Sequence, residues 1–348
     1  MLQAVQPVRT LDDFRALLKT LPGPDHAARS RAVAHESNLI KPPGALGRLE
    51  DLMAWLCAWQ GRQPPRLDYP TVVVFAGNHG VATLGVSAYP AAVTAQMVDN
   101  FRAGGAAVNQ LCRTFGATLL VRAIDLERPT ANFVHTPAMT EDECVAALLE
   151  GMAAVPAGSD VLCVGEMGIA NTTVAATICH GLFGGAADTW TGPGTGIVGE
   201  QLAAKAQVVA RAVSLHRPAW RDAVDVLRYV GGRELAAIAG AVIAARLKRV
   251  PVLLDGYVCT AAAAVLEAFT TGALDHCVIA HVSAEPAHRH LCDRLGKRPL
   301  LDLSLRLGEA SGAALALALL QGAIACHNGM ATFGDASVSG PCQNQNVP

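Results

Sequence analysis

Six short apolar runs in this sequence each end at a small cluster of glycine, polar or acidic residues, and helix-like segments separate them. The runs cover residues 71–76, 118–121, 160–164, 251–254, 277–280 and 300–303. Strands that alternate with helices indicate right-handed βαβ units and a mostly parallel sheet. The runs are apolar along nearly their whole length, which is typical of strands covered by helices on both faces. The sequence therefore predicts an α/β fold.

The same strand ends hold nearly all the residues that are capable of chemistry. In a parallel α/β sheet, ligands bind in the crevice outside the carboxyl ends of the strands. The placement of polar and acidic residues at these ends is therefore typical of an enzyme.

The composition allows a large core and excludes two classes of partner. Of the 348 residues, 51% are hydrophobic and only 5% are aromatic, so the core is built mainly from Ala, Val and Leu. The net charge of −2 provides no basic field for nucleic acid and no polybasic patch for a membrane.

Proline-rich breaks divide the chain. Residues 1–65 have helical patterns interrupted at 22–24 and 41–44, and no strand of their own to pack on. We predict that 1–65 form a small helical domain together with the C-terminal tail, and that 66–333 form the α/β catalytic domain. The tail at 334–348 is rich in Gly, Ser, Asn and Gln, and we expect it to be poorly ordered.

Cysteine usage and the N-terminus predict a cytoplasmic location. Ten cysteines are scattered singly without a C-x-x-C pair, which is typical of a reducing compartment. The N-terminus lacks the charged region and apolar core of a signal peptide. The apolar segment 310–326 is shorter than the roughly 20 residues that span a bilayer, so we expect a buried core helix and no stable membrane insertion.

The segment 165–173 (GEMGIANTT) joins a predicted buried strand to a helix. Its glycines allow backbone N–H groups to approach an anion at the helix N-terminus. Glu166 has two interpretations there: an acid that caps the helix, favoured by the helix dipole, or a carboxylate that faces a substrate as it becomes cationic. The spacing leaves both open.

A second glycine-rich turn, 191–196 (TGPGTG), precedes another predicted helix. It fits neither the P-loop nor G-x-G-x-x-G, and the absence of the latter disfavours a dinucleotide-dependent dehydrogenase. Lys205 lies nine residues past Gly196. A lone lysine is usually a solvated surface charge, but beside a glycine turn it can also anchor a phosphate.

Glu309 lies in the segment 306–312 (RLGEASG), which follows the last predicted strand and leads into an apolar helix. One interpretation is an acid at a helix N-terminus. The other is a general base, because apolar neighbours desolvate a carboxylate and raise its pKa toward neutral pH.

Histidines near the fifth predicted strand suggest a metal site at first sight. His281, Glu285 and His288 could share a helix face, but Pro286 interrupts the helix and no H-E-x-x-H motif is present. The pattern does not favour zinc, and we predict no metal site. His79 has no partner in sequence and fits an ordinary loop histidine.

Several of these segments, in this order, resemble the nicotinate-nucleotide–dimethylbenzimidazole phosphoribosyltransferase family of late cobalamin biosynthesis. The matching segments are 41–50 (KPPGALGRLE), 78–81 (NHGV), 85–90 (GVSAYP), 165–173, 194–196, 230–232 (VGG), 253–256 (LLDG) and 306–312. Each is weak alone, but the ordered set extends over nearly the whole chain and is specific.

The resemblance implies a fold and a reaction. The family fold is a Rossmann-like three-layer α/β domain plus a small helical domain, in a homodimer. Its members transfer phosphoribose from nicotinate mononucleotide to a benzimidazole, giving α-ribazole 5′-phosphate and nicotinate with inversion at the anomeric carbon. The resemblance implies no metal or redox cofactor.

The resemblance also implies roles for individual residues. The general base is Glu309, and Glu166 is a second carboxylate at the active site. The implied phosphate and ribose site comprises Gly168, Asn171, Thr172, Gly194, Thr195, Gly196, Lys205 and Ser283. The implied base pocket comprises Asn78, His79, Ser87, Tyr89 and Leu307.

Three departures from the family pattern concern the base more than the reaction. Asn78 stands where the family often has Asp, Pro193 stands where Arg is common, and 197–200 (IVGE) replaces a more acidic run. The same chemistry on adenine or a phenolic acceptor is therefore the main alternative. A silent regulator that binds the nucleotide is a second alternative, against which the retained Glu166, Lys205 and Glu309 argue.

Overall fold

The structure is a computed structural model that describes residues 8–339. Its strands are β1 Pro70–Ala76, β2 Thr118–Ala123, β3 Val161–Met167, β4 Val252–Leu254 and β5 Cys277–Ile279. They form one all-parallel sheet in the order β2-β1-β3-β4-β5. The predicted α/β fold with flanking helices is confirmed.

The helices between and around the strands follow the predicted alternation. In the described range they are α1 Leu11–Leu18, α2 His26–Asn38, α3 Arg48–Gln60, α4 Ala92–Ala103, α5 Ala107–Phe115, α6 Glu141–Ala153, α7 Asn171–Phe183, α8 Ala187–Trp190, α9 Gly199–His216, α10 Ala223–Val230, α11 Arg233–Leu247, α12 Tyr257–Phe269, α13 Pro286–Arg294 and α14 Ser311–Gly329. The sequence did not predict α10, an eight-residue helix that the Asp222 side chain caps by accepting the Val224 and Asp225 N–H groups.

The centre of the sheet is apolar on both sides. All seven residues of β1 are buried, and six of the seven residues of β3 are buried. The strand order turns back on itself between β1 and β3, because β2 lies on one side of β1 and the later strands lie on the other. This is the topological switch point, where the crevice for a ligand opens in folds of this kind.

The predicted sixth strand at 300–303 is wrong. Within this segment the structure has only an isolated parallel bridge between Leu301 and His281. Asp302 is exposed and Leu303 is 55% exposed, so the chain leaves the sheet directly after Leu301. Pro299, which has no N–H to donate, precedes the run, and Asp302 has a low preference for strands.

The described chain groups into two compact units. One contains the residues up to Pro22 and Tyr69–Ala316, and it includes the whole sheet. The other contains Gly23–Asp68 and the residues from Leu317 onward. In this second unit, Lys41 Nζ lies 3.0 Å from a Glu36 carboxylate oxygen. The domain boundaries predicted at 65/66 and 333/334 stay a prediction, and residues 340–348 of the predicted tail lie outside the described residues.

One helix in the described range, α14, is long and apolar enough to cross a membrane by length and composition alone. In its most apolar 18-residue window, 44% is buried inside the protein. Ala313, Ala314 and Ala316 in its first turns are fully buried. The burial of this part fits the predicted core helix.

Candidate active site at the switch point of the sheet

The two predicted catalytic carboxylates meet at the switch point. Glu166 lies near the end of β3, paired in register with Phe75 of β1. Glu309 lies in the loop before α14, and its backbone N–H donates to the Glu166 carbonyl oxygen at 3.2 Å. Glu166 is 9% exposed and Glu309 5% exposed, so both side chains are largely removed from water.

The turn that holds Glu309 has an unusual backbone. Gly308, Glu309 and Ala310 have φ angles of +80°, +63° and +61°, all in the left-handed region. Non-glycine residues with such angles are costly and cluster at functional sites. A Cβ atom at Gly308 would lie 2.5 Å from Glu166 Oε1, so the turn depends on glycine to pass this carboxyl group. Ser311 Oγ closes the turn by donating to the Gly308 carbonyl oxygen at 2.7 Å.

Both carboxyl groups have raised pKa values. Burial raises the pKa of Glu166 to about 8, and the charge of Asp255 adds to this, while a hydrogen bond from the Asn171 side chain opposes it. Burial raises the pKa of Glu309 to about 7, again with a contribution from Asp255. The hydrogen bond to Glu166 comes from the Asn171 side chain and not from a backbone N–H of α7, which does not support the capping interpretation of Glu166.

Asp255 is a third carboxylate at this point, and the sequence analysis assigned it no role. It follows β4, is fully buried, and its Oδ1 accepts the Ala313 N–H at 2.9 Å. Its own pKa is raised by burial and lowered by His281, whose Nδ1 lies 3.5 Å from Oδ1. One interpretation of the sequence made Glu309 the acid at the N-terminus of α14. In the structure Asp255 accepts a backbone N–H at that helix end. The DG pair at a strand end was the available signal.

A buried His–Glu pair packs against the GEMG segment that contains Glu166. His79 Nε2 lies 2.7 Å from Glu234 Oε1, and both side chains are 0% exposed. Gly168 packs closely on the pair, because a Cβ there would lie 3.0 Å from Glu234 Oε1 and 3.1 Å from His79 Nε2. His79 thus faces the protein interior, and Glu234, which sequence reasoning missed, contributes to the raised pKa of Glu166.

Lys205 is a buried charge. It is 0% exposed, which excludes the interpretation as a solvated surface lysine. Its Nζ donates to Thr172 Oγ1 at 2.9 Å and to the Gly192 carbonyl oxygen at 2.8 Å. A Cβ at Gly194 would lie 2.5 Å from Thr172 Oγ1 and 3.1 Å from Lys205 Nζ, so both glycine-rich segments meet at this amine. Burial lowers the pKa of Lys205 to about 8.

The residues once considered as metal ligands have separate partners. Glu285 Oε1 accepts the Gly194 N–H at 2.8 Å, and Ser283 Oγ accepts the Glu285 N–H at 3.2 Å. His288 Nδ1 accepts the Ser283 N–H at 2.8 Å, so its Nε2 carries the proton that Thr260 Oγ1 accepts at 3.0 Å. Among residues 8–339, no group of three or more His, Cys, Asp or Glu side chains could hold a metal ion.

The remaining predicted site residues differ in their partners and in their exposure. Thr195 Oγ1 lies 2.9 Å from Ser87 Oγ, which joins the glycine turn to the 85–90 segment. Tyr89 and Leu307 are each 56% exposed. Asn78 Nδ2 donates to the Leu126 carbonyl oxygen at 2.9 Å.

Two backbone turns complete the predicted phosphate segments. The Asn171 N–H donates to the Gly168 carbonyl oxygen at 3.1 Å, and the Gly196 N–H donates to the Pro193 carbonyl oxygen at 3.0 Å. In this arrangement the Gly196 N–H is committed to its own turn.

The chain as a whole is similar in sequence to known phosphoribosyltransferases. A family model described as phosphoribosyltransferase matches residues 21–338. The protein named nicotinate-nucleotide–dimethylbenzimidazole phosphoribosyltransferase from Ruegeria pomeroyi is 59% identical over 329 residues, 94% of this chain and 97% of its own length. The protein of the same name from Sinorhizobium medicae is 55% identical over 328 residues, with the same two coverages.

A solved structure is also similar. The crystal structure of CobT from Thermus thermophilus superposes with a TM-score of 0.84 at 40% sequence identity. The match covers 90% of this chain and 100% of that one.

Proposed function

Because this chain belongs to the nicotinate-nucleotide–dimethylbenzimidazole phosphoribosyltransferase family, we propose that it transfers phosphoribose from nicotinate mononucleotide to 5,6-dimethylbenzimidazole. The products are α-ribazole 5′-phosphate and nicotinate, and the first of these supplies the lower ligand of cobalamin. The observation that supports the residue roles most directly is the meeting of Glu166 and Glu309 at one buried point of the switch region.

Glu309 is the general base in this proposal. One imidazole nitrogen of the acceptor benzimidazole forms a bond to C1′ of the ribose while the bond from C1′ to the nicotinate nitrogen breaks. Nicotinate leaves with the electron pair of that bond, and attack from the opposite face inverts C1′. The second imidazole nitrogen then loses its proton to Glu309, whose pKa of about 7 is well matched to this task near neutral pH.

Glu166 stabilises the positive charge of the transferring sugar. Breaking a ribosyl bond builds oxocarbenium character at C1′, as in glycoside hydrolysis. A carboxylate held in a buried site stabilises such charge strongly, because no water has to reorganise. The pKa of about 8 favours the protonated form in the free chain, and the cationic nicotinate ring of the substrate favours the ionised form.

The glycine turns and Lys205 hold the 5′-phosphate. Lys205 already donates to two neutral oxygens and retains a charge that a phosphate dianion can balance. Holding the phosphate fixes the sugar for in-line displacement. The proposed phosphate and ribose site is Gly168, Asn171, Thr172, Gly194, Thr195, Gly196, Lys205 and Ser283.

The acceptor base lies toward the exposed side of the site. The proposed pocket is lined by Asn78, Ser87, Tyr89 and Leu307, and His79 lies behind it in its buried pair with Glu234. Of these, Tyr89 and Leu307 have the exposed apolar surface on which a planar aromatic base can pack.

We further propose that the chain acts as a cytoplasmic homodimer. The family resemblance supports the homodimer, and the singly scattered cysteines support the cytoplasmic location. The nine cysteines at positions 57–326 are free thiols, and eight of them are buried. Light scattering on the protein as it elutes from a size-exclusion column is expected to give twice the chain mass. A monomeric mass at micromolar concentration would contradict the dimer.

The reaction is tested by nicotinate release from nicotinate mononucleotide, with and without 5,6-dimethylbenzimidazole, followed by mass spectrometry of the product. Base-dependent release of nicotinate with formation of a riboside phosphate is expected. Release with adenine or a phenol but not with the benzimidazole would replace the acceptor. Binding of the nucleotide without release in any of these mixtures would favour the silent regulator.

A further inference from the structure

Glu285 is a buried carboxylate that the proposed reaction does not use. It is 5% exposed and precedes α13, and its Oε1 accepts the Gly194 N–H at 2.8 Å. Its second oxygen, Oε2, is buried and makes no hydrogen bond within the described part of the chain. An ionised carboxylate with one bare oxygen in a buried place is unfavourable unless nearby charge offsets the cost.

The charges around Glu285 belong to the phosphate side of the proposed site. Burial raises the pKa of Glu285 above its ordinary value. The charges of Lys205 and Arg306 and the hydrogen bond from the Gly194 N–H lower it in part. Tyr257 is a further titratable group within electrostatic reach. Arg306 Nη1 also donates to the Gly194 carbonyl oxygen at 3.4 Å. Gly194 thus has an anion at its N–H and a cation at its carbonyl oxygen.

A cavity adjoins Glu285. Its volume is about 230 Å³, and its lining includes Glu285 and the ion pair between Arg289 and Asp302, whose Nη2 and Oδ2 atoms lie 2.8 Å apart. Rotation of the Glu285 side chain toward this cavity would free the Gly194 N–H and bring the carboxylate nearer to Arg289. The cavity can therefore receive the Glu285 carboxylate when another anion binds the Gly194 N–H.

We propose that Glu285 is a built-in competitor for the substrate's 5′-phosphate: its carboxylate occupies the Gly194 N–H in the free chain and leaves when the phosphate binds. This inference rests on the proposed phosphate site around Gly194 and Lys205. It makes Glu285 a specificity-determining residue, because only an anion with more charge than a carboxylate gains by the exchange. A riboside without phosphate cannot displace it.

The test uses sulfate, a dianion that does not titrate near neutral pH, with the full-length protein. Glu285→Gln keeps the shape and an oxygen acceptor for the Gly194 N–H but removes the competing charge. Sulfate is expected to bind this variant about 10-fold more tightly than the unmodified protein, since a charged acceptor is replaced by a weaker neutral one. The KM for nicotinate mononucleotide is expected to fall by a similar factor with kcat unchanged.

Glu267→Gln is the matched control. Its carboxylate accepts the Gly272 and Leu274 N–H groups at the far end of α12, at 2.7 and 2.9 Å. Sulfate affinity in this variant is expected to equal that of the unmodified protein. Unchanged or weaker sulfate binding in folded Glu285→Gln overturns the inference, since a merely structural role predicts a raised KM and a lowered kcat.

Lys205→Met separates this inference from the proposed function. If sulfate affinity is lost in Lys205→Met but unchanged in Glu285→Gln, the phosphate site stands and the role of Glu285 falls. If sulfate binds equally well without Lys205, the proposed phosphate site falls, and the role of Glu285 falls with it.

A measurement on the unmodified protein serves if Glu285→Gln does not fold. The amide signal of Gly194 in an NMR spectrum is expected to follow the ionisation of Glu285 in sulfate-free buffer, because the carboxylate is its direct acceptor. At saturating sulfate this pH dependence is expected to disappear. A Gly194 signal that follows Glu285 equally in both buffers overturns the inference.

Discussion

At the scale of single residues, the site is governed by carboxylates whose charges are costly in the place where they lie. Glu166, Glu309 and Asp255 are all buried, and each has a raised pKa. Asp255 is a shared cause, because its charge raises the pKa of both other groups. Burial is the larger cause in both cases, and Asp255, which touches no substrate in the proposed mechanism, raises the pKa of both groups further.

This arrangement predicts the acid limb of the pH profile. Glu309 must be unprotonated to act as a base, and Glu166 must be ionised to stabilise the sugar cation, so kcat/KM is expected to rise between pH 7 and 8. Asp255→Asn removes the repelling charge and is expected to move this limb to lower pH by roughly half a unit to one unit. Kinetics across pH 5.5–9 on both proteins check the shift, and an identical limb in the variant would rule out Asp255 as the cause.

Sequence reasoning at this scale predicted the two carboxylates but not the groups that surround them. Glu309 was predicted to be desolvated by apolar neighbours, and its burial confirms the reason for its raised pKa. Glu234, by contrast, lies 155 positions from His79, and nothing in either segment indicates that they pair. A long-range buried pair depends on how the strands are ordered, which a single sequence does not encode locally.

At the scale of elements, the loop before α14 is the part that turns a parallel sheet into this site. It has three consecutive left-handed residues and passes directly against Glu166. A strand that ends and a helix that starts were readily predicted from the alternation of apolar runs. The left-handed turn was not, because Glu309 and Ala310 are residues that rarely adopt it.

Gly308→Ala is expected to damage the site by more than backbone strain alone. The new Cβ would meet Glu166 Oε1 at 2.5 Å and push the carboxylate away from its position. We expect a loss of roughly 10-fold or more in kcat, because small displacements of a catalytic group are costly.

Gly296→Ala is the control for this substitution. Gly296 also has a left-handed φ of +61°, but a Cβ there meets nothing within 4 Å. Gly296→Ala is expected to lose roughly 1–2 kcal/mol of stability in urea unfolding from backbone strain, Gly308→Ala at least as much, and only Gly308→Ala is expected to lose turnover. Equal turnover in the two would show that contact with Glu166 does not matter.

The sixth predicted strand shows where element prediction fails. The run at 300–303 has the apolar residues of a strand, yet its backbone pairs with the 279–282 segment only around Leu300 and Leu301. Local pattern indicates what a segment can form, whereas the exposed Asp302 ends the pairing where the chain reaches solvent.

At the scale of the whole molecule, the buried charge of ionised Glu309 lowers the stability of the fold. The folded-state pKa of Glu309, about 7, lies above its ordinary value of 4.5. The folded chain therefore binds more protons than the unfolded chain between these values, and the contribution of Glu309 to stability falls as pH rises through that window.

Glu309→Gln is consequently expected to be more stable than the unmodified protein at high pH. The gain is expected to be small at pH 4.5 and to reach about 1–3 kcal/mol at pH 8, where the carboxylate of the unmodified protein is ionised. Urea unfolding of both proteins at several pH values measures the difference directly. A difference that does not grow with pH would mean that burial of Glu309 does not destabilise its charge.

The overall architecture could be predicted because it follows from repeated local patterns. Five of the six apolar runs became strands of one parallel sheet, and Glu166 lies near the carboxyl end of one of them, where ligands bind in folds of this class. The order of the strands, which brings Glu166 of β3 beside β1 and places the switch point there, could not be read from the runs themselves.

The most direct test of the account is the turnover of Glu309→Gln with nicotinate mononucleotide and 5,6-dimethylbenzimidazole, measured together with nucleotide binding by calorimetry. The amide keeps the shape of the side chain but cannot accept the proton of the base. Nucleotide affinity is expected to be retained while kcat falls by roughly 100-fold or more, as for loss of a general base. Near-normal turnover in this variant would contradict the assignment of Glu309 and the mechanism built on it.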